Sequence, residues 1–435
     1  MASIRRIVIG LTGPFGAGSS TIADDLKNRQ GWRKYSLTDA MRQLAPSFVK
    51  PLDKKKLNSP AHRSYQQDVG NEIRRQRIRA MPDKVVGEIE KDEQGNKSLV
   101  STDIVIDGIK NPSEMTYLRD RFPNFFVIAV FAPFDIRWIR KKDAYGGNQT
   151  DFERDDERDT GELEPAWGQK VQLCVDSSDV LISNERQFDE PITKQELQGN
   201  LDSYIRLMKE PGSRQPHFTE MNMAQAYVAS LMSSCHKRKV GAVVVKEEQE
   251  ERRTRSYIIA SGYNETPLKI KHCTERGGPS QPEYCYKDEK IKEVLREQYK
   301  LCPKCGAELK FPKEFGLPLI CTNPKCGARL GRDFIPGRML DLCPAVHAEE
   351  AAILQASKFG GTQVDGGILY TTTFPCPLCA KKIVHSGIDH CYFAEPYPQD
   401  EAINALEEGG VDALLFEGVK GRAFHKLFEP QPYKQ

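Results

Sequence analysis

The sequence predicts two α/β domains in tandem, the second interrupted by a cysteine-rich insertion. Three observations lead there. Strand-like apolar runs alternate with helical stretches in the first half of the 435 residues. A break, PGSRQP from Pro211 to Pro216, precedes a second alternation of the same kind. Inside that second alternation two close cysteine pairs stand apart from any strand or helix pattern. The boundaries that follow are residues 1–195, a linker over 196–216 and residues 217–435, with the insertion at about 285–340.

In the first half the apolar runs are IRRIVIGLTG from Ile4, IVIDG at Ile104–Gly108, FFVIAVFA at Phe125–Ala132 and DVLISN at Asp179–Asn184. Short apolar strands between helices read as a mostly parallel sheet covered on both faces. The first run leads into GPFGAGSST, Gly13–Thr21, and then into IADDL. Strand, G-x-x-x-x-G-K-[ST] and helix is the order of a phosphate-binding loop. Gly13, Gly16 and Gly18 supply its glycines, and Ser20 stands where a magnesium-binding hydroxyl belongs. The lysine position holds Ser19. Backbone N–H groups at a helix start still hold a phosphate. The lysine, however, stabilises charge as a phosphoryl group moves, so binding survives its loss better than transfer does.

Asp107 closes the second strand. A carboxylate there suits magnesium, or else it caps a turn. Arg137 and Arg140 share a helix face, suited to phosphate or to solvent. YQQDVGNEIRR, Tyr65–Arg75, adds a Gln/Arg cluster. TDFERDDERDTGELE, Thr150–Glu164, reads as a solvated loop or a lid that would order over a nucleotide.

In the second half Met221–Ser233 has a helical pattern. VGAVVVK, Val240–Lys246, and SYIIASG, Ser256–Gly262, look like an antiparallel pair, with EEQEERRTR as an exposed loop between them. HAEEAAI at His347–Ile353 and TTTFPCPLCA from Thr371 then combine H-x-E with P-C-x-x-C. Together these make the zinc-deaminase signature. His347, Cys376 and Cys379 would bind zinc and leave its fourth position to water. Both motifs open helices, whose N-termini favour thiolate. Zinc lowers the pKa of its water to about 7. Glu349 would take that proton, pass it to ring N3 and help the amine leave C4 as ammonia. A lone P-C-x-x-C would suit a structural knuckle, and a lone H-x-E a surface helix. Their coincidence favours the deaminase site.

The pairs Cys302/Cys305 and Cys321/Cys326 read as a closed structural zinc ribbon, with Gly306 and Gly327 after the knuckles. A net charge of +2 gives no basic field for polynucleotides or anionic membranes. No apolar run approaches the roughly 18 residues of a membrane span. MASIRRIVIG shows no secretory pattern, and twelve cysteines without one point to metal ligands in a reducing cytoplasm.

Most of residues 1–190 resembles the deoxynucleoside monophosphate kinase branch of the P-loop fold, on GLTGPFGAGSST, YQQDVGNEIRR, VIDGIKNPSE, Arg137/Arg140 and DVLISN. SCHKRKVGAVVV, Ser234–Val245, and SGYNETP, Ser261–Pro267, resemble deoxycytidylate deaminases. That resemblance implies that Asn264 hydrogen-bonds sugar or base and that Arg238 supports the site or meets phosphate; the alternative for Arg238 is a buried salt bridge. Glu265 stands where many such enzymes have glycine. It also implies an accessory zinc, for which Cys235, Cys273, Cys285 and Cys343 are candidates, or else buried thiols. Tyr392–Gln399 and Phe416–Phe428 resemble the end of that domain, packing over the site.

A P-loop nucleoside-monophosphate-kinase-like sheet, followed by a cytidine/deoxycytidylate deaminase-like α/β/α domain with an inserted zinc ribbon, resembles the anti-phage dCTP deaminases of bacterial defence. The resemblance implies conversion of dCTP, and dCMP, to dUTP and dUMP plus ammonia, draining deoxycytidine nucleotides during infection. It implies a homo-oligomer and an inhibitory partner in uninfected cells. The first domain would bind a regulatory nucleotide, with magnesium, and bias the second. A housekeeping dCMP deaminase would share the chemistry. A polynucleotide deaminase would need a basic, aromatic-lined groove that the sequence does not show, and a kinase would need a substitute for the lysine.

Overall fold

The computed structural model describes residues 6–58, 62–161, 164–185, 191–250, 253–276, 284–298, 300–310, 319–326, 329–330, 342–359, 363–395 and 399–429. The chain divides into two units, residues 1–220 with 416–435, and residues 221–415.

In the first unit β1 (Val8–Thr12), β2 (Arg33–Ser36), β3 (Ile104–Ile109), β4 (Phe125–Phe131) and β5 (Val180–Ser183) lie parallel in the order β5-β4-β1-β3-β2. Their side chains alternate between two buried faces. Ile9, Leu11, Ile128, Val130 and Ile182 join one core. Val8, Ile104, Ile106 and Val127 join the other. A sheet covered on both sides needs apolar residues at nearly every position, which is why these strands read as unbroken apolar runs. β2, with sequence RKYS, is half-buried at the edge and escapes that signature.

The Gln/Arg cluster lies on helix Arg63–Gln76. Arg74 reaches Glu114 at 2.8 Å, a pair buried on both sides. Glu114 also accepts from the N–H groups of Lys110 and Asn111, starting the helix Pro112–Arg121 just after β3. A buried carboxylate satisfied this fully holds the turn beyond Asp107 in one geometry.

In the second unit β6 (Gly241–Glu250) and β7 (Arg253–Tyr263) form an antiparallel hairpin. The short β8 (Leu309–Lys310), β9 (Leu319–Cys321) and β10 (Arg329–Leu330) make a separate antiparallel sheet. β11 (Ile368–Thr371), β12 (His390–Phe393) and β13 (Asp412–Leu415) complete the main sheet in the order β13-β12-β11-β6-β7. β11, β12 and β13 are mutually parallel, and β6 runs against β11. Ala242, Val244, Ala260 and Leu369 of the sheet pack on Ala348, Ala352, Ala380 and Ile383 of the helices. The many alanines let helix and sheet come close.

Three expectations change here. EEQEERRTR is not a loop: the strands run to Glu250 and resume at Arg253, with Glu248 opposite Arg255 and Glu250 opposite Arg253. Facing opposite charges favour pairing across an exposed hairpin. The expected linker 196–216 is mostly helix, Pro191–Lys209, whose Leu201, Ile205, Leu207 and Met208 enter the first unit's core. Finally, Phe416–Phe428, expected with the second half, belongs to the first unit. Its β14 (Gly418–Val419) pairs antiparallel with β5, and Val419, Ala423 and Leu427 join the first unit's core. An exposed edge such as β5 is commonly covered in this way. Gly327 and part of Tyr392–Gln399 lie outside the described residues. Tyr392 itself stacks on Tyr370, with ring centroids 4.9 Å apart. Among the described residues no helix is long and apolar enough to cross a membrane.

Candidate active site

Two helix starts converge in the second unit. His347 directly precedes helix Ala348–Phe359, and its carbonyl accepts from the Ala351 N–H. Cys376 caps helix Pro377–His385, and its carbonyl accepts from the Ala380 N–H. The helices bring His347 Nδ1 to 3.3 Å from Cys376 Sγ and 3.4 Å from Cys379 Sγ. All three ligand atoms lie within 4.8 Å of one another. Atoms held 2.0–2.3 Å from one tetrahedral zinc stand roughly 3.5 Å apart, so the set fits that ion. The Cys379 thiol and the His347 ring hold Cys376 down to about 4, against the effect of burial. The Cys376 sulfur in turn raises the His347 ring above its ordinary value.

Glu349 is buried beside this set and accepts from Thr371 Oγ1 at 3.3 Å. Burial pushes its carboxyl upward. The approach to His347 is fixed by main chain: Val346 exchanges both backbone hydrogen bonds with Glu265. Glu265, odd in the sequence, therefore acts through its backbone as a pin for His347, the candidate metal ligand. Gly262 is the second pin. A Cβ there would stand 2.3 Å from Ala352 N and 2.4 Å from Ala348 O. Gly262→Ala is expected to push the Glu349 helix off β7 and cost about 1–3 kcal/mol. Chemical denaturation with parallel ammonia-release assays checks this, and an unaltered midpoint would refute it.

Asn264 and Arg238 sit at the entry to β6. Asn264 Oδ1 accepts from the Val240 N–H at 2.8 Å, and its Nδ2 donates to the Arg238 carbonyl at 3.0 Å. The side chain thus braces the Arg238–Val240 turn, with one amide hydrogen left for another acceptor. Arg238 Nε lies 3.5 Å from Glu395, which also accepts from Thr373 Oγ1 at 2.7 Å. Thr371, Thr373 and Glu395 went unremarked in the sequence. Their only signal was position, at the ends of strands flanking Pro375.

The second cysteine set also assembles. Cys302 and Cys326 sulfurs are 3.9 Å apart, Cys305 and Cys321 sulfurs 3.4 Å, and all four fall within 4.8 Å. β8–β10 hold the pairs face to face, as a closed tetrahedral site requires. Cys235, Cys273, Cys285 and Cys343 belong to neither cluster among the described residues.

In the first unit, Gly13 and Gly18 have φ of +155° and +103°. A Cβ would strike Val130 O at 2.2 Å in one case and Asn184 Nδ2 at 2.5 Å in the other, so only glycine fits. Ser19 opens helix Ser19–Gln30, and Ser20 Oγ donates to Asp107 Oδ2 at 2.6 Å. Asp107 Oδ1 is buried without a partner among the described residues. Gly16 packs on Arg137. Arg137 and Arg140 donate to the carbonyls of Phe15, Gly16 and Ala17, bracing the loop.

Residues 216–395 match the family described as the cytidine and deoxycytidylate deaminase zinc-binding region. The chain is 25% identical over 313 residues to the deoxycytidylate deaminase of Schizosaccharomyces pombe, covering 71% of this chain and 74% of that one. It is 24% identical over 229 residues to the deoxycytidylate deaminase of Saccharomyces cerevisiae, covering 51% of this chain and 54% of that one, about half its length. Among solved structures, dCMP deaminase from the cyanophage S-TIM5 in complex with dCMP and dUMP matches with a TM-score of 0.27 and 23% identity, over 47% of this chain and 99% of that one.

Proposed function

Taking residues 216–395 as a domain of the cytidine and deoxycytidylate deaminase zinc-binding family, we propose that this chain hydrolyses dCTP and dCMP to dUTP and dUMP with release of ammonia. The observation that carries the proposal is the convergence of His347, Cys376 and Cys379 with a buried Glu349 beside them. Zinc held by these three residues would supply a bound water whose pKa is lowered to about 7. Glu349 takes the proton, carries it to ring N3 and gives it up to the departing amine. Water replaces the amine at C4, and the balance is one nucleotide plus water to uracil nucleotide plus ammonia. Thr371 orients the carboxyl, and Thr373 with Glu395 holds Arg238 at the rim.

The Cys302, Cys305, Cys321 and Cys326 set holds a structural zinc. Residues 13–20 hold the phosphates of a regulatory nucleotide, whose magnesium would meet Ser20 and Asp107. With serine at position 19 that site has a binding role and no phosphoryl transfer. Depletion of deoxycytidine nucleotides in infected cells is the biological outcome we infer, in a cytoplasmic homo-oligomer restrained by an inhibitory partner in uninfected cells.

Purified protein incubated separately with dCTP, dCMP and CTP is expected to yield dUTP and dUMP plus ammonia, and to stop when zinc is chelated. Absence of ammonia from every cytosine nucleotide with zinc-replete protein would overturn the proposal. A housekeeping dCMP deaminase is the second reading, favoured by relatives that bear the name deoxycytidylate deaminase. Turnover of dCMP with no turnover of dCTP would select it.

A further inference from the structure

Ser19 leaves the loop without a cation of its own, yet the fold brings cations to it from elsewhere. Lys110, just past β3, places Nζ 3.3 Å from the Gly13 carbonyl. The Arg63 guanidinium lies 4.4 Å from the centre of the Phe15 ring, and Lys141 Nζ lies 5.2 Å from it. Arg137 donates to the Phe15 carbonyl at 3.2 Å.

Three of these cations are taken up by a single element, the helix Gln149–Thr160. Asp159 accepts from Arg63 at 2.8 Å and from Lys110 at 3.2 Å. Asp156 accepts from Arg137 Nη2 at 2.9 Å. Asp159 is 1% exposed. Burial alone would raise its pKa, but Arg63 and Lys110 outweigh that and hold it well below the usual range. Burial likewise draws the Lys110 ammonium down, with Asp159 pulling the other way.

The helix has further polar anchors outside those pairs: Asp155 accepts from the Tyr145 hydroxyl at 2.9 Å, Gln67 donates to the Asp155 carbonyl at 2.9 Å, and Arg158 reaches Asp68 at 2.8 Å. Its sequence carries Asp151, Glu153, Asp155, Asp156, Glu157 and Asp159 against Arg154 and Arg158. Its main apolar contact is Phe152, set among Phe15, Phe134, Trp138 and Tyr145. Carboxylates spaced along one helix face offer guanidinium and ammonium groups what a polyphosphate offers, which is closely set anionic oxygens. Replacing carboxylate by phosphate oxygen leaves each cation paired. It also returns the carboxylates to water, so the exchange avoids the cost of stranding a buried charge.

We propose that helix Gln149–Thr160 is an internal competitor for the phosphate loop: Asp156 and Asp159 occupy Arg137, Arg63 and Lys110 until a di- or triphosphate takes these cations and displaces the helix. Lys110 thereby supplies the charge missing at Ser19. The proposal rests on the reading of residues 13–20 as a phosphate-holding loop, and goes beyond it by naming the cations and their competitor.

The test uses the full chain and inorganic tripolyphosphate. Titration calorimetry should show Asp156→Asn binding roughly tenfold tighter than the unaltered chain and Lys110→Ala roughly tenfold weaker, the size of a typical coupling between linked sites. Amide hydrogen exchange in 149–160 should accelerate when tripolyphosphate saturates the unaltered chain. Binding with no change in exchange there, or no gain in Asp156→Asn, would overturn the competitor and leave the loop reading intact. Binding by neither chain would overturn both. Should Asp156→Asn fail to fold, the exchange experiment on the unaltered chain decides alone.

Discussion

Glu349→Gln is expected to lower kcat/KM for dCMP and dCTP by about a thousandfold, within the range that a positioned acid–base group contributes. Glutamine keeps the size of the side chain and an oxygen to accept from Thr371 Oγ1, the bond seen at 3.3 Å. It cannot take or return a proton. Metal content should therefore stay unchanged while ammonia release collapses. That separation matters, because a merely structural carboxylate in this pocket would lose stability before it lost rate. Ammonia release at full speed from a well-folded Glu349→Gln protein would remove the chemical core of the proposed function.

Cys376→Ser should have the larger effect, reducing activity to the background of the uncatalysed reaction. The hydroxyl is a poor zinc ligand at neutral pH, and only His347 and Cys379 remain of the three. The second cluster provides an internal control. Elemental analysis should find one zinc fewer per chain, with the Cys302 set still loaded, and the secondary structure should persist. Loss of both metals together would show that the substitution had unfolded the unit. Retention of both metals and of activity would show that Cys376 is no ligand.

Much of this was legible because the chemistry lies in short spacings. H-x-E and P-C-x-x-C each sit at the start of a helix, so a few residues of local sequence define both the candidate ligands and the geometry that presents them. The buried strands were legible for a different reason, since a doubly covered sheet writes itself as apolar runs. What stayed hidden depends on pairing between distant segments. RKYS carries no apolar alternation, and becomes a strand only by lying beside β3. Glu395 meets Arg238 across a sheet whose order is not written in any one stretch. Lys110 reaches the loop only because β3 lies next to β1. Asn264 carried a motif-level expectation of substrate contact, whereas its amide is largely engaged with main chain at Arg238 and Val240. The acidic stretch from Thr150 reads as a solvated loop or a lid, whereas Gln149–Thr160 is a helix with Asp155 and Asp159 buried, because composition reports charge without reporting which cations pair with it.

The return of Gly418–Val419 to the edge of β5 has a consequence for biosynthesis. A ribosome delivers that edge strand only after residues 221–415 have been made, so the second unit can close while the first still awaits this strand. Chains cut short before Gly418 would thus carry a folded second unit and a first unit whose β5 edge is left open to aggregation.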